Sequence, residues 1–332
     1  MRRLVLVEAN KDLKQARLEV QEVDTPKPRS GQVLVKVAAA PVNPSDDGAW
    51  RVPPKQGYPL PLGNEGCGTV VASGGGLMAG RLLGKNVAFT GLSYAEYAIA
   101  DPMTSAFTLP PALPVEDACA FFINPFTVVG IVDTLRASGG RAMIHTGAAS
   151  QLGQMLVKYC KHEGVQLVNL VRRKEQVHAL RKLGAEHVVD TSDPEWKARL
   201  GQLISDLGVR HAFDCVAGEM SGDLLTMLPP GSTLWVYGRL SHQAVSGVEP
   251  LDLIYRGKQL KGFLLTSWLL SGGTVAALRR VVRTAAAVAA GIQSVFASEF
   301  KDTSLQDMHA NYAALLGSGN TGVKLRVRPG AR

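Results

Sequence analysis

The stretch HTGAASQLGQM, His145 to Met155, decides how the rest of the chain is read. A short apolar run, Ala142–His145, enters it, and residues 152–162 leave it with helical spacing of apolar positions. Strand, small-residue turn and helix in that order have the form of a phosphate-binding turn. Gly147 and Gly153 flank Ser150 in a G-x-x-S-x-x-G spacing. Small side chains from Gly147 to Ser150 let the backbone approach a pyrophosphate. A helix starting near Gln151 would turn its N-terminal amides and positive dipole end toward that group. Two glycines alone do not separate this reading from a plain helix cap.

The following strand separates them. In dinucleotide folds the residue that reads the adenosine ribose lies about 20 residues past the glycine turn. Here that place is Arg172, followed by Arg173 and Lys174, just after the strand expected over Gln166–Val171. An acidic residue would accept from the ribose 2′-hydroxyl of NAD. Three cations suit the 2′-phosphate of NADP, and arginine makes paired charged hydrogen bonds to it. Alone, the cations read as a basic surface turn. Joined to the glycine turn at this spacing, they point to NADPH.

Working outward, 332 residues are many for one hydrophobic core, so two domains are expected. Residues 1–118 read as short strands and turns: Arg3–Glu8, Gln32–Ala39, Asn86–Phe89 and Tyr94–Ile99, bounded by Pro, Gly, Asn and Asp. Prolines 53, 54, 59 and 61 make Val52–Leu62 an ordered loop. From Cys119 strands alternate with helices. Further strands are expected at His187–Val189, Ala212–Cys215, Ser232–Tyr237 and Gln259–Phe263, and a helix over Glu175–Leu183. That alternation predicts an α/β protein with a doubly wound parallel sheet. After Ser267 a long helix and two strand-like pieces follow, the last at Val323–Val327. The expected division is 1–118, 119–266 and 267–332, with the last part returning to the first.

Composition narrows the classes. With 46% hydrophobic and 19% charged residues the chain is an ordinary globular one, not a disordered or collagen-like one. Thr274–Ile292 is apolar but carries Arg279, Arg280 and Arg283, which makes it an amphipathic surface helix rather than a membrane span. The N-terminus lacks the long apolar core of a signal peptide, so a cytoplasmic location is expected. Cys67, Cys119, Cys160 and Cys215 are isolated, which argues against a zinc cluster or a disulfide framework. The net charge of +8 arises after residue 118, without charge blocks or aromatic-basic alternation, so no nucleic-acid partner is expected.

GAASQLG, LVNLVRRKEQ, LGAEHVVD, FDCVAG, LWVYGRLS and GFLLTSW follow one another here in the order of the medium-chain dehydrogenase/reductase superfamily. APVNPSDDG, LGNEGCGTVV and INPFT fit the same group. The chain most resembles its zinc-free NADPH:quinone oxidoreductases and 2-enoyl thioester reductases. The resemblance implies a mostly-β GroES-like catalytic domain interrupted by a Rossmann NADP-binding domain. It also implies a homodimer joined through Rossmann edge strands.

Zinc alcohol dehydrogenases of this superfamily place a cysteine near the NPSD position and a histidine where this chain has Asn64. Here those stretches read Asn43-Pro44-Ser45-Asp46 and Gly63-Asn64-Glu65-Gly66, and asparagine is a poor zinc ligand. No metal is expected. Without a Lewis acid, reduction of an already electrophilic acceptor is favoured over alcohol oxidation. The expected substrate is a small electrophile: a quinone, an enone or an enoyl thioester.

The resemblance assigns Ser150, Gln151 and Leu152 to the pyrophosphate turn and Arg172, Arg173 and Lys174 to the 2′-phosphate. It puts Asn124 and Thr127 beside the nicotinamide, and Tyr237 and Gly238 in one loop bordering the cofactor. Phe263 and Leu265 lie in the next such loop, and Lys324 closes over the cofactor. Asn43 becomes a hydrogen bonder near the nicotinamide and Tyr58 the candidate proton donor, although the loop that carries Tyr58 is shorter than in thioester reductases. Local chemistry offers plainer roles: turn formation for Asn43 and core packing for Tyr237, Phe263 and Trp268. The expected function is a zinc-independent, NADPH-dependent reductase of quinones or α,β-unsaturated carbonyl compounds. Alternatives are a 2-enoyl thioester reductase acting on acyl-carrier or coenzyme A substrates, and a non-catalytic NADPH-binding structural or RNA-binding protein.

Overall fold

The computed structural model describes residues 1–319 and 322–331, and they form two compact units. The first joins Met1–Pro125 to Ala285–Arg332, and the second is Phe126–Thr284.

Eight strands lie in the first segment. They are β1 (Arg2–Glu8), β2 (Arg17–Glu22), β3 (Val33–Pro41), β4 (Leu60–Pro61), β5 (Glu65–Ser73), β6 (Asn86–Thr90), β7 (Tyr97–Ala100) and β8 (Ala106–Thr108). β1 pairs antiparallel with both β2 and β4 in a small sheet. β3 pairs antiparallel with β5 and β7, and β5 with β6. Alternation drives β2, where Arg17, Glu19 and Glu22 are exposed. β3 is apolar almost throughout and buried on both faces, with Lys36 the one fully exposed residue.

The second unit holds β9 (Ala142–His145), β10 (Gln166–Val171), β11 (His187–Asp190), β12 (His211–Asp214), β13 (Thr233–Val236) and β14 (Gln259–Gly262). They form one parallel sheet in the order β11-β10-β9-β12-β13-β14, with a reversal of direction at β9. This is the doubly wound order, whose ligand crevice lies beyond the carboxyl ends of the strands at the reversal. Ile144, Val168, Leu170, Ala212 and Leu234 build its core with Leu200, Leu224 and Leu225 from the covering helices. Each such buried leucine contributes roughly 1.5–3 kcal/mol over an exposed one.

The return segment adds β15 (Phe300–Thr303) and β16 (Lys324–Val327). β16 pairs antiparallel with β3, and β15 parallel with β16, so the chain's end completes the first unit's larger sheet. Leu325 and Val327 enter a core with Leu4, Leu6, Trp50, Tyr94 and Tyr312.

The divisions between units fall later than residues 118 and 266. Glu65 accepts hydrogen bonds from the amides of Phe122 and Ile123 and so holds the start of helix Ile123–Ala137 to the first unit. Trp268 belongs with the second unit, where Gly130 leaves room for its ring and Arg280 lies 5.4 Å over it. Two other differences are local. Tyr94 and Ala95 precede β7 rather than join it, because the Tyr94 side chain is buried and donates to the Pro41 carbonyl. Helix Met308–Gly317 has no apolar stripe of helical period to announce it; Met308 and Tyr312 alone are buried.

Candidate functional site

In the second unit, β9 ends at His145 and helix Gln151–Glu163 begins after Ser150. The Ser150 hydroxyl accepts from the Gly153 amide at 3.2 Å, an N-cap bond, and Gly164 in the left-handed region closes the helix. The turn is glycine-poor but tightly built. Gly147 has φ +61°, and a Cβ there would stand 2.6 Å from Cys215 Sγ. A Cβ on Gly153 would meet the Ala148 carbonyl oxygen at 2.2 Å. Bare backbone at both positions is what lets the turn close on Cys215 and on its own Ala148 carbonyl.

A buried polar chain supports it from below. Thr146 donates to Asp214 at 2.6 Å and accepts from the Cys215 amide at 2.9 Å. Asp214 also accepts from the amides of Val216 and Ala217 and the hydroxyl of Ser221. His145 Nε2 lies 2.6 Å from the Tyr237 hydroxyl, with the rings stacked at 5.9 Å. Burial pushes His145 down to about 3, so the imidazole is neutral at pH 7. Burial pushes the Cys215 thiol up to about 11, so it stays protonated. Asp214 carries most of this support. Its only sequence signal was a carboxylate closing an otherwise apolar strand.

Arg172, Arg173 and Lys174 are all exposed, directly after β10 and at the start of helix Lys174–Lys182. Gln151 is buried and Leu152 half-buried. Thr127 is buried, and Tyr237 and Gly238 are half-buried just after β13. Phe263 is buried edge-on against Phe213 and beside Gly130, which is a core position. Leu265 is half-buried at the first residue of helix Leu265–Leu270.

The first unit gathers a second group of residues. Lys324 Nζ donates to Asn43 Oδ1 at 2.6 Å, and Asn43 Nδ2 donates to Glu65 Oε1 at 3.0 Å. The Asn43 backbone N–H donates to Asp46 Oδ2 at 2.7 Å, and Asn64 donates to Asp46 Oδ1 at 2.5 Å. Asn43, Asp46, Glu65 and Lys324 are all buried. Burial pushes Asp46 up to about 7 against the hydrogen bond from the Asn43 backbone amide. Burial also raises Glu65, opposed by the Lys324 charge, and lowers Lys324, opposed by Glu65. Lys324 thus closes on Asn43 and stands in a cluster with two carboxyl groups. Asn124 is buried near the start of the helix that Glu65 anchors. Glu65 is the site residue that sequence reasoning passed over. A glutamate inside EGCGTVV was the available signal.

Tyr58 lies apart from that cluster's hydrogen bonds. It is 43% exposed and its hydroxyl accepts from the Ala9 amide at 2.8 Å, which leaves its own proton available to donate.

Among the described residues no group of three His, Cys, Asp or Glu side chains is arranged to hold a metal ion. The donor set near Asn43 does not suit zinc, because it offers amides and already contains an ammonium group.

Two family models match the chain: an alcohol dehydrogenase GroES-like domain over residues 29–110 and a zinc-binding dehydrogenase over residues 152–287. A mitochondrial enoyl-[acyl-carrier-protein] reductase of Xenopus tropicalis is 30% identical over 266 residues, 76% of this chain and 74% of that one. A Mesorhizobium loti structure provisionally described as an NADPH:quinone reductase is 30% identical with a TM-score of 0.87, covering 99% of this chain and 98% of that one. Escherichia coli quinone oxidoreductase, solved with NADPH, is 20% identical with a TM-score of 0.82, covering 99% of this chain and 100% of that one, and shares the fold.

Proposed function

Because the chain belongs to the medium-chain dehydrogenase/reductase superfamily and is an enzyme of the oxidoreductase type, we propose that it is a zinc-independent, NADPH-dependent reductase of quinones or α,β-unsaturated carbonyl compounds. The observation that carries the cofactor is the run Arg172-Arg173-Lys174, exposed at the end of the strand that follows the phosphate turn. Ser150, Gln151, Leu152 and the bare backbone of Gly147 and Gly153 would hold the diphosphate, and the cations the 2′-phosphate. NADPH, when bound, supplies the hydride.

The chain's own residues then have two tasks. One is to place a donor at the oxygen where charge develops, and the other is to deliver a proton. Asn43 has its amide orientation set by Lys324 on one side and Glu65 on the other. That leaves one Nδ2 hydrogen uncommitted for an oxygen of the nicotinamide carboxamide or the acceptor. Tyr58 is the proton donor in this reading. Tyr58→Phe is expected to lower kcat about 100-fold with the best acceptor. Unchanged turnover would remove Tyr58 from the mechanism.

The M. loti likeness favours a quinone, and the enoyl reductase relatives favour a 2-enoyl thioester. Absorbance of NADPH followed with a quinone and an enoyl thioester in parallel separates the two. Faster turnover of the quinone supports the first reading, and preference for the thioester supports the second. NADPH binding without consumption of either, together with salt-sensitive RNA binding, would replace both with a non-catalytic role. A cytoplasmic location belongs to the same proposal and is tested by cell fractionation.

The proposed homodimer joins through β14. This is one of the sheet's two edge strands, all four of its residues are exposed, and Ile254 and Tyr255 before it are 66% and 79% exposed. An unpaired, apolar-flanked edge favours pairing with a second copy. Light scattering is expected to give twice the chain mass, and Leu260→Glu with Tyr255→Glu to give the monomer. A monomeric wild type would refute the interface.

A further inference from the structure

Three parallel strands of the second unit, β9, β12 and β13, end side by side where the strand order reverses. Side chains tie these ends together. His145, fully buried at the end of β9, places Nε2 2.6 Å from the hydroxyl of Tyr237, the residue after β13. The two rings stack at 5.9 Å with 17° between their planes. The Tyr237 amide donates to the Asp214 carbonyl at 2.9 Å, which fixes the residue to the end of β12.

Cys215, the next residue after β12, touches both this pair and the turn that follows β9. Its thiol donates to the Thr146 carbonyl at 3.4 Å. The Tyr237 hydroxyl, bonded to the sulfur, opposes the effect of burial on the thiol. Gly147 packs on the same sulfur, since a Cβ there would lie 2.6 Å from it. Leu240 donates its amide to the Cys215 carbonyl at 2.9 Å and lies 3.7 Å from that Cβ position. The turn after β9 and the loop after β13 therefore rest on one cysteine.

The donors fix where the protons lie. The thiol hydrogen goes to the Thr146 carbonyl, and the Thr146 hydroxyl hydrogen goes to Asp214 at 2.6 Å. The sulfur is left as an acceptor for the Tyr237 hydroxyl. With its hydrogen committed there, the tyrosine oxygen accepts from His145. A neutral imidazole has one N–H, so it is carried on Nε2.

We propose that His145 and Tyr237 are positioning residues for the phosphate turn. His145 Nε2–H fixes the Tyr237 hydroxyl, and the hydroxyl holds the Cys215 sulfur against Gly147, which sets the backbone that meets the coenzyme diphosphate. This rests on the reading of that turn given above. The diphosphate is common to NADPH and NADH, so the pair acts on both coenzymes alike, whereas Arg172 and Arg173 act on one.

Nitrogen NMR of His145 and fluorescence titrations with NADPH and NADH, all on the full chain, test it. At pH 7 His145 is expected to be protonated at Nε2 and bare at Nδ1 before any coenzyme is added. Tyr237→Phe keeps the ring and removes the hydroxyl. It is expected to raise Kd about tenfold for each coenzyme, the loss of one hydrogen bond. His145→Leu is expected to do the same. His145→Gln, whose side-chain amide can donate in place of Nε2, is expected to stay within about twofold of the wild type. Protonation at Nδ1 would overturn the proposal. So would an unchanged Kd in Tyr237→Phe, a loss confined to NADPH, or equal losses in His145→Leu and His145→Gln. Each of these leaves the reading of the turn standing. A wild type that binds neither coenzyme would overturn that reading, and this inference with it.

Discussion

Replacing Arg172 and Arg173 together by alanine is expected to raise the KM for NADPH about 1,000-fold and to change that for NADH by less than about twofold. Both side chains are exposed directly after β10, at the place where a dinucleotide fold meets the adenosine ribose. A hydrogen bond to a charged group contributes about 1.5–3 kcal/mol, and two such bonds lost against a phosphate give the stated factor at roughly 1.4 kcal/mol per tenfold. NADH has no 2′-phosphate, so it loses only long-range attraction, which salt screens. The measurement is a pair of saturation curves for each coenzyme at fixed ionic strength. Equal losses for both coenzymes would show that the cations act on the fold or on the shared diphosphate, and the NADPH assignment would fall.

The second large effect concerns Asp46. Its pKa is raised by burial to about 7 in the folded chain, from the ordinary carboxylate value of 3.8. Between those two values the folded state holds a proton that the unfolded state has released. Stability from this group is therefore complete below about pH 4 and falls as pH rises, by about 1.4 kcal/mol per unit, until the folded group ionises near 7. Glu65 and Lys324 face Asp46 in the same cluster, and their charges act in opposite directions on it. Asp46→Asn keeps a neutral side chain that can bond Asn43 and Asn64 and removes the titration. Urea unfolding of both forms at pH 5, 6, 7 and 8 is expected to show the variant gaining on the wild type by about 2 kcal/mol between pH 5 and 7. Parallel profiles would mean that Asp46 is ionised throughout. The cluster would then carry two carboxylates against one lysine.

Much of the fold was legible before any coordinates. Ala142–His145 and Gln166–Val171 are strands over the residues expected, and the helix between them starts one residue earlier than its apolar spacing suggested. Parallel strands buried on both faces are written as continuous apolar runs, and helix starts as small polar caps, so both signals are local. Helix Met308–Gly317 lacks such a signal, and β2 carries only a six-residue alternation in place of a continuous apolar run. Phe263 and Trp268 were open between pocket and core. Gly130, more than a hundred residues earlier in the chain, makes room for both rings.

The division between what is local and what is not also runs through the candidate site. The proposed phosphate turn and the three cations after it lie in one strand–turn–helix–strand unit, whose signals are short-range along the chain. The alternation of strands and helices announced the parallel sheet, whereas the order of its strands around β9 was decided by the tertiary fold. The cluster of Asn43, Glu65 and Lys324 is of another kind. Lys324 meets Asn43 across 281 positions, and Glu65 meets the amides of Phe122 and Ile123 across 57 and 58. No periodicity or spacing encodes such pairs. They form because β16 returns to pair with β3 and brings a lysine into a buried pocket. Once water is excluded there, two carboxyl groups, an amide and an ammonium group satisfy their charges and hydrogen bonds from one another and from nearby amides.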